Sequence, residues 1–200
     1  MIRNGFMKIF WGLLFILLDI RIGGIDFILP DFVGYILIAS GLGILSPIHP
    51  RFAKARTFAL IMIFLSLADI VELKQVISQH GNVTFWVNAL FPITTIGAIL
   101  DLIMVWNICG GIIELSFGTG NPLLATVATT RRNLYIALAV IAWCCMGFFY
   151  IEPQLVSVFI IPLVIFSLIV MCLIMGLMKK AAEELDIKQN DASNPSLSDK

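Results

Sequence analysis

Charged side chains fall at long intervals along this chain, and the apolar stretches between them set its reading. A helix that crosses about 30 Å of hydrocarbon needs roughly 17–25 mostly apolar residues. The first such stretch lies between Arg3 and Arg21 and predicts a span over 6–20, with Lys8 and Asp19 near its ends. The second, DFVGYILIASGLGIL at 31–45, stops at Ser46-Pro47, and the third covers 57–73 after Arg56. Residues 83–113 are apolar for longer than one crossing requires. Pro92 is expected to divide them, leaving Thr84–Phe91 at the interface and 93–113 as the fourth span. The fifth span, 134–150, sits between Arg132 and Glu152, and the sixth, 154–178, ends at Lys179-Lys180. The expected fold is all-α: a polytopic transmembrane helix bundle of six spans within residues 1–185.

The positive-inside rule orients these spans. With the N-terminus in the cytoplasm, the inner segments hold Arg3, Lys8, Arg51, Lys54, Arg56, Arg131, Arg132, Lys179 and Lys180, against Arg21 and Lys74 outside. Both termini are therefore expected inside. A basic start before an apolar run also opens a signal peptide. No small-x-small cleavage site follows this one, and Asp19-Ile20-Arg21 comes next, so it reads as an uncleaved span. The first two spans are short, and their link is rich in Gly, Pro and acids, so a tight hairpin that stops short of a full crossing is a second option. Residues 118–132, opening Gly-Thr-Gly-Asn-Pro, read as the main cytoplasmic loop with a turn at its start. Residues 186–200 are polar and read as a disordered cytoplasmic tail.

Composition agrees with the spans. Apolar residues make up 60% of the chain and charged ones 13%, against roughly 25% charged in soluble domains. Mean hydropathy is +0.99. The 13 basic and 13 acidic residues cancel, so nothing points to nucleic acid. The bilayer is the expected partner. The four cysteines lie in apolar runs without a C-x-x-C pair, and His49 and His80 fall on opposite sides of the expected membrane. No metal site, cofactor or enzyme motif is expected from such a set.

Charge inside the bilayer carries the information about chemistry, because each such group costs at least ~2.5–3.5 kcal/mol on insertion scales. Asp101 lies about eight residues into the fourth span, on one helical stripe with Thr94 and Gly97. It reads either as a relay or ligand contact, or as a carboxyl that joins helices by a hydrogen bond. Lys8 is the only basic residue within another span. A second group gathers at the expected outer face: Asp19, Arg21, Asp26, Asp31, Asp69 and Glu72, with Lys74. It reads as a mouth for a cation or amine, or as interface acids paired by Arg21 and Lys74. The small residues Gly34, Ala39, Gly41 and Gly43 break up the second span; Gly34, Ala39 and Gly43 are read as helix-packing positions, and Ala39 with Gly43 forms a small-x-x-x-small pair suited to close approach.

Residues 13–42 resemble the N-terminal hairpin of small multi-spanning membrane proteins of Gram-positive bacteria. The likeness rests on Asp19, Gly24, Asp26, Pro30, Asp31, Gly34 and Tyr35. It implies a bacterial cytoplasmic membrane and no particular activity. Two functions remain open. One is a non-enzymatic, small-solute-binding or transport-related protein with a small-molecule or cation ligand, motivated by Asp101 and the acidic mouth. The other is an interaction protein (regulator, immunity factor or assembly subunit) that packs on a partner membrane subunit.

Overall fold

The computed structural model describes residues 1–18, 31–78, 83–149 and 153–193, with side chains outside 68–94, 146–158, 160 and 188–193. Every element in these residues is helical: α1 (Ile2–Leu18), α2 (Asp31–Leu45), α3 (Pro50–Ser78), α4 (Val83–Gly118), α5 (Pro122–Phe149) and α6 (Pro153–Ser193). Each helix packs on its neighbours in sequence, and α6 returns against α1, so the six close a ring. Two segments among the described residues are long and apolar enough to cross a membrane. They are Thr95–Gly118, with mean hydropathy 2.0, and Ile161–Ile187, with 2.8. The Arg21 pairing expected at the first link lies outside the described residues.

α1 and α2 touch backbone to backbone. A Cβ placed on Gly12 would lie 2.6 Å from the carbonyl oxygen of Gly34, and one on Gly41 would lie 2.5 Å from that of Gly5. Both helices carry their paired glycines seven residues apart, so two turns of an antiparallel contact are built without side chains. Of the small residues of α2, Gly34 and Gly41 make the backbone contact with α1, and Ala39 is buried beside them. Gly43 faces the Arg56 guanidinium on α3, 3.4 Å from its added Cβ.

The apolar core occupies one end of the ring. Phe6 and Ile9 of α1, Leu42 and Leu45 of α2, Phe52 of α3, Ile112 of α4, Leu124 of α5 and Leu177 of α6 are all fully buried there. Phe6 and Phe52 meet edge to face at 5.9 Å. Gly111 makes room for the Phe52 ring, whose atoms would come within 2.7 Å of an added Cβ. Toward the other end, α6 turns large apolar groups outward, with Ile161 67% and Ile165 54% exposed.

Polar contacts tie the chain's links together at the core's end. His49 Nε2 lies 2.7 Å from Glu114 Oε2, and Arg51 Nη2 lies 2.7 Å from Glu114 Oε1. The Arg51 backbone N–H donates to His49 Nδ1, which leaves Nε2 as the nitrogen facing the carboxylate. The Met1 amine lies 3.3 Å from Asp186. Removing both pairs with Glu114→Gln is expected to lower stability by about 0.5–1 kcal/mol, since all three groups are partly exposed. Thermal unfolding should show that loss shrinking as salt rises; a salt-independent loss would contradict it.

Three expectations from the sequence need correction. Residues 118–132 are not a loop, because α5 begins at Pro122 and the link is only 119–121. Gly120, at φ 65°, ends α4: the Asn121 N–H donates to Ser116 O and the Gly120 N–H to Phe117 O. Asn121 then caps α5, its Oδ1 accepting from the Leu124 N–H, while Pro122 takes the first helical position. Gly-Thr-Gly-Asn-Pro does form a turn, but its polar sequel is helix. Likewise 186–193 continues α6. Its start is anchored through Asp186 and, two residues earlier, through Glu184, which accepts from Asn121 Nδ2 at 2.5 Å. Lastly, α4 runs through Pro92 unbroken.

Candidate functional site

On α4 the buried positions Val105, Ile108 and Ile112 define the inward stripe at spacings of three and four. Asp101 stands four residues before Val105 on that same stripe. Geometry therefore turns its carboxyl toward the ring, and the group it meets is the Tyr135 hydroxyl, which donates to Asp101 Oδ2. Tyr135 belongs to the equivalent stripe of α5: Leu124, Ala128, Arg131, Tyr135, Leu138 and Ala142 follow at steps of four and three. The bond joins two helices at a level where the surrounding residues offer few polar groups.

Tyr135 also opens onto a cleft of about 360 Å³ between α4, α5 and α6. Thr95 and Ala98 supply one wall, Leu138 and Trp143 a second, and Leu163, Val164 and Ser167 the third. Its size falls in the range of small-molecule pockets, roughly 300–1,000 Å³. The lining is mainly apolar, with the Tyr135 phenol and the Thr95 and Ser167 hydroxyls as its polar groups. Because the phenol's proton is committed to Asp101, its oxygen is left to accept from a donor on a bound molecule.

The other sequence candidates separate. Thr94, Asp69 and Glu72 lie in α4 and α3, with side chains outside the described set; Asp19, Arg21 and Asp26 are outside it altogether. Asp31 is the first residue of α2, in the first turn, where a carboxylate suits the positive end of the helix dipole. Lys8 does not approach Asp101; its Nζ donates to Ser40 Oγ at 2.9 Å. Ser66, near the acidic pair on α3, bonds its own helix through Ile63 O at 3.1 Å. Among the described residues no group of His, Cys, Asp and Glu is arranged to hold a metal ion.

Tyr135 is not among the residues that the sequence singled out, although the regular stripe on α5 points at it. A carboxyl within a span suggests a cationic partner, whereas a phenol serves the same oxygen without a charge. Comparison with known proteins adds no second line: no family model, curated protein or solved structure matches this chain.

Proposed function

We propose that this chain is a six-span protein of a bacterial cytoplasmic membrane, both termini inside, that binds a small molecule in the α4–α5–α6 cleft. The ligand is mainly apolar and carries one N–H or O–H donor for Tyr135. The observation that carries this reading is the Asp101–Tyr135 bond at the edge of a mainly apolar cleft. A carboxyl in the middle of a span is costly, and here it orients the polar group that a ligand would meet. The acidic residues near the first link and the end of α3 keep their place as an outer mouth in this proposal.

The orientation draws support from the fold. Nine of the eleven membrane-proximal cations lie on α1, near the start of α3, in α5 and in α6, the helices that meet at or near the turns at 46–49 and 119–121. Contacts of Met1 with Asp186 and of Asn121 with Glu184 draw three of these helices together. A single cysteine placed at 78–82 should react with an impermeant reagent from outside, and one at 120–128 only from inside, after Cys144 and Cys172, both exposed, are removed. The reverse pattern would end the six-span, N-inside proposal.

Binding itself is tested by thermal shift across a panel of apolar amines, alcohols and matched hydrocarbons. Donor-bearing solutes should raise the unfolding temperature of the wild type and lose that increment in Tyr135→Phe. Equal shifts in both proteins would refute the role of the phenol.

A further inference from the structure

We propose that Arg132, together with Trp106, forms a binding site for a phosphate-bearing anion in the groove between α4 and α5, with Arg131 held aside against α6, and that the site is filled in the membrane by the headgroup of an acidic phospholipid. The two arginines lie nine and ten residues into α5, about 14–15 Å from its start. Both are only partly exposed. Neither has a carboxylate within ion-pair distance among the described residues, where the ion pairs engage Met1, His49, Arg51 and Lys180 instead. Arg131 Nη1 donates to the Leu173 carbonyl oxygen at 2.6 Å, reaching α6 past Gly176. That contact fixes the side chain and neutralises nothing.

Arg132 is the sharper case. Its guanidinium lies over the Trp106 ring, 4.4 Å from the centroid, and its Nε is buried without a hydrogen-bond partner. A guanidinium has five N–H donors in a planar fork that matches two oxygens of a phosphate. The two acids of α4 are committed elsewhere: Asp101 to Tyr135, and Glu114 to His49 and Arg51. Trp106 is 42% exposed beside this unpaired charge. Arg132 stands two residues before the expected fifth span, and Trp106 beneath it puts the inner boundary on α4 near that residue rather than at Ile113; an indole at such a boundary sits at headgroup level, and basic pockets between helices on the cytoplasmic side take acidic lipid headgroups. This anion site depends on the proposed orientation of the spans but not on the solute cleft, so either can fail alone.

The test uses the full chain, purified in detergent and re-lipidated with phosphatidylcholine containing phosphatidylglycerol. Native mass spectrometry of the released protein should show phosphatidylglycerol retained several-fold over phosphatidylcholine. Arg132→Gln should remove that preference, while Lys54→Gln, an exposed cation on α3, should keep it. If Arg132→Gln does not fold, Arg132→Lys retains the charge without the fork and should still weaken the preference several-fold. Inorganic phosphate titrated in detergent distinguishes the sources. An Arg132-dependent thermal shift that displaces the lipid supports a site for phosphate itself; retention of lipid without such a shift supports the headgroup. Equal lipid preference in wild type and Arg132→Gln would overturn the proposal, as would equal losses in Arg132→Gln and Lys54→Gln.

Discussion

Replacing Gly12 by valine is expected to destabilise the bundle by about 1–3 kcal/mol, and by more if the helices cannot part. The added Cβ would meet the Gly34 carbonyl oxygen at 2.6 Å and the Ile38 side chain at the same distance. A flexible side chain can swing away, but a backbone oxygen moves only with its helix. Separating α1 from α2 would also open the contact at Gly5 and Gly41, one heptad along. Gly97→Ala is the matched control, since nothing lies within 4 Å of its added Cβ. That change should be neutral or stabilise the helix by about 0.5–1 kcal/mol. Thermal unfolding in one detergent compares the two. Similar stabilities for Gly12→Val and Gly97→Ala would contradict the backbone contact.

The second large effect concerns Asp101. Asp101→Leu should destabilise by about 1–2 kcal/mol, because the Tyr135 hydroxyl loses its acceptor between helices. Asp101→Asn should be nearly silent for folding, as the amide oxygen accepts the same bond with almost the same shape. Tyr135→Phe should cost a similar amount to Asp101→Leu. The double variant Asp101→Leu/Tyr135→Phe should fall well short of the sum of the two, since both delete one interaction. Strict additivity, measured by unfolding in mixed detergent, would show that the bond contributes nothing to the fold.

Much of the helical order was legible from hydropathy, because a chain in lipid must satisfy its backbone internally and does so as helix. What hydropathy does not limit is helix outside an apolar segment. α5 therefore begins twelve residues before its expected span, and α6 runs fifteen residues past Met178. The Asn121 cap and the bend at Gly120 were readable as a turn, yet their polar sequel looked like loop for want of apolar periodicity. The small residues of α2 stood out in the sequence, but their partners on α1 did not. Gly5 and Gly12 lie on one helix and Gly34 and Gly41 on another, and no single-helix motif expresses a pairing between them. At the candidate site, Asp101 stood out because charge is rare within the apolar stretches of the sequence. Its partner and the cleft were not legible, since a tyrosine among apolar residues looks like interface bulk until the stripes of α4 and α5 face each other. The ion pairs of Glu114 depend on the 46–49 turn bringing His49 and Arg51 against α4, which spacing along the chain does not reveal.

Whether the α4–α5–α6 cleft holds a small molecule is tested most directly by native mass spectrometry of the protein released from the membranes in which it was made. Wild type should carry one extra small-molecule mass that survives gentle desolvation and disappears on organic extraction. Ala98→Phe, which fills the cleft from α4 and leaves Asp101 and Tyr135 unsubstituted, should carry none while keeping the wild-type unfolding temperature. The same adduct on a folded Ala98→Phe protein, or none on the wild type, would contradict a ligand-holding cleft.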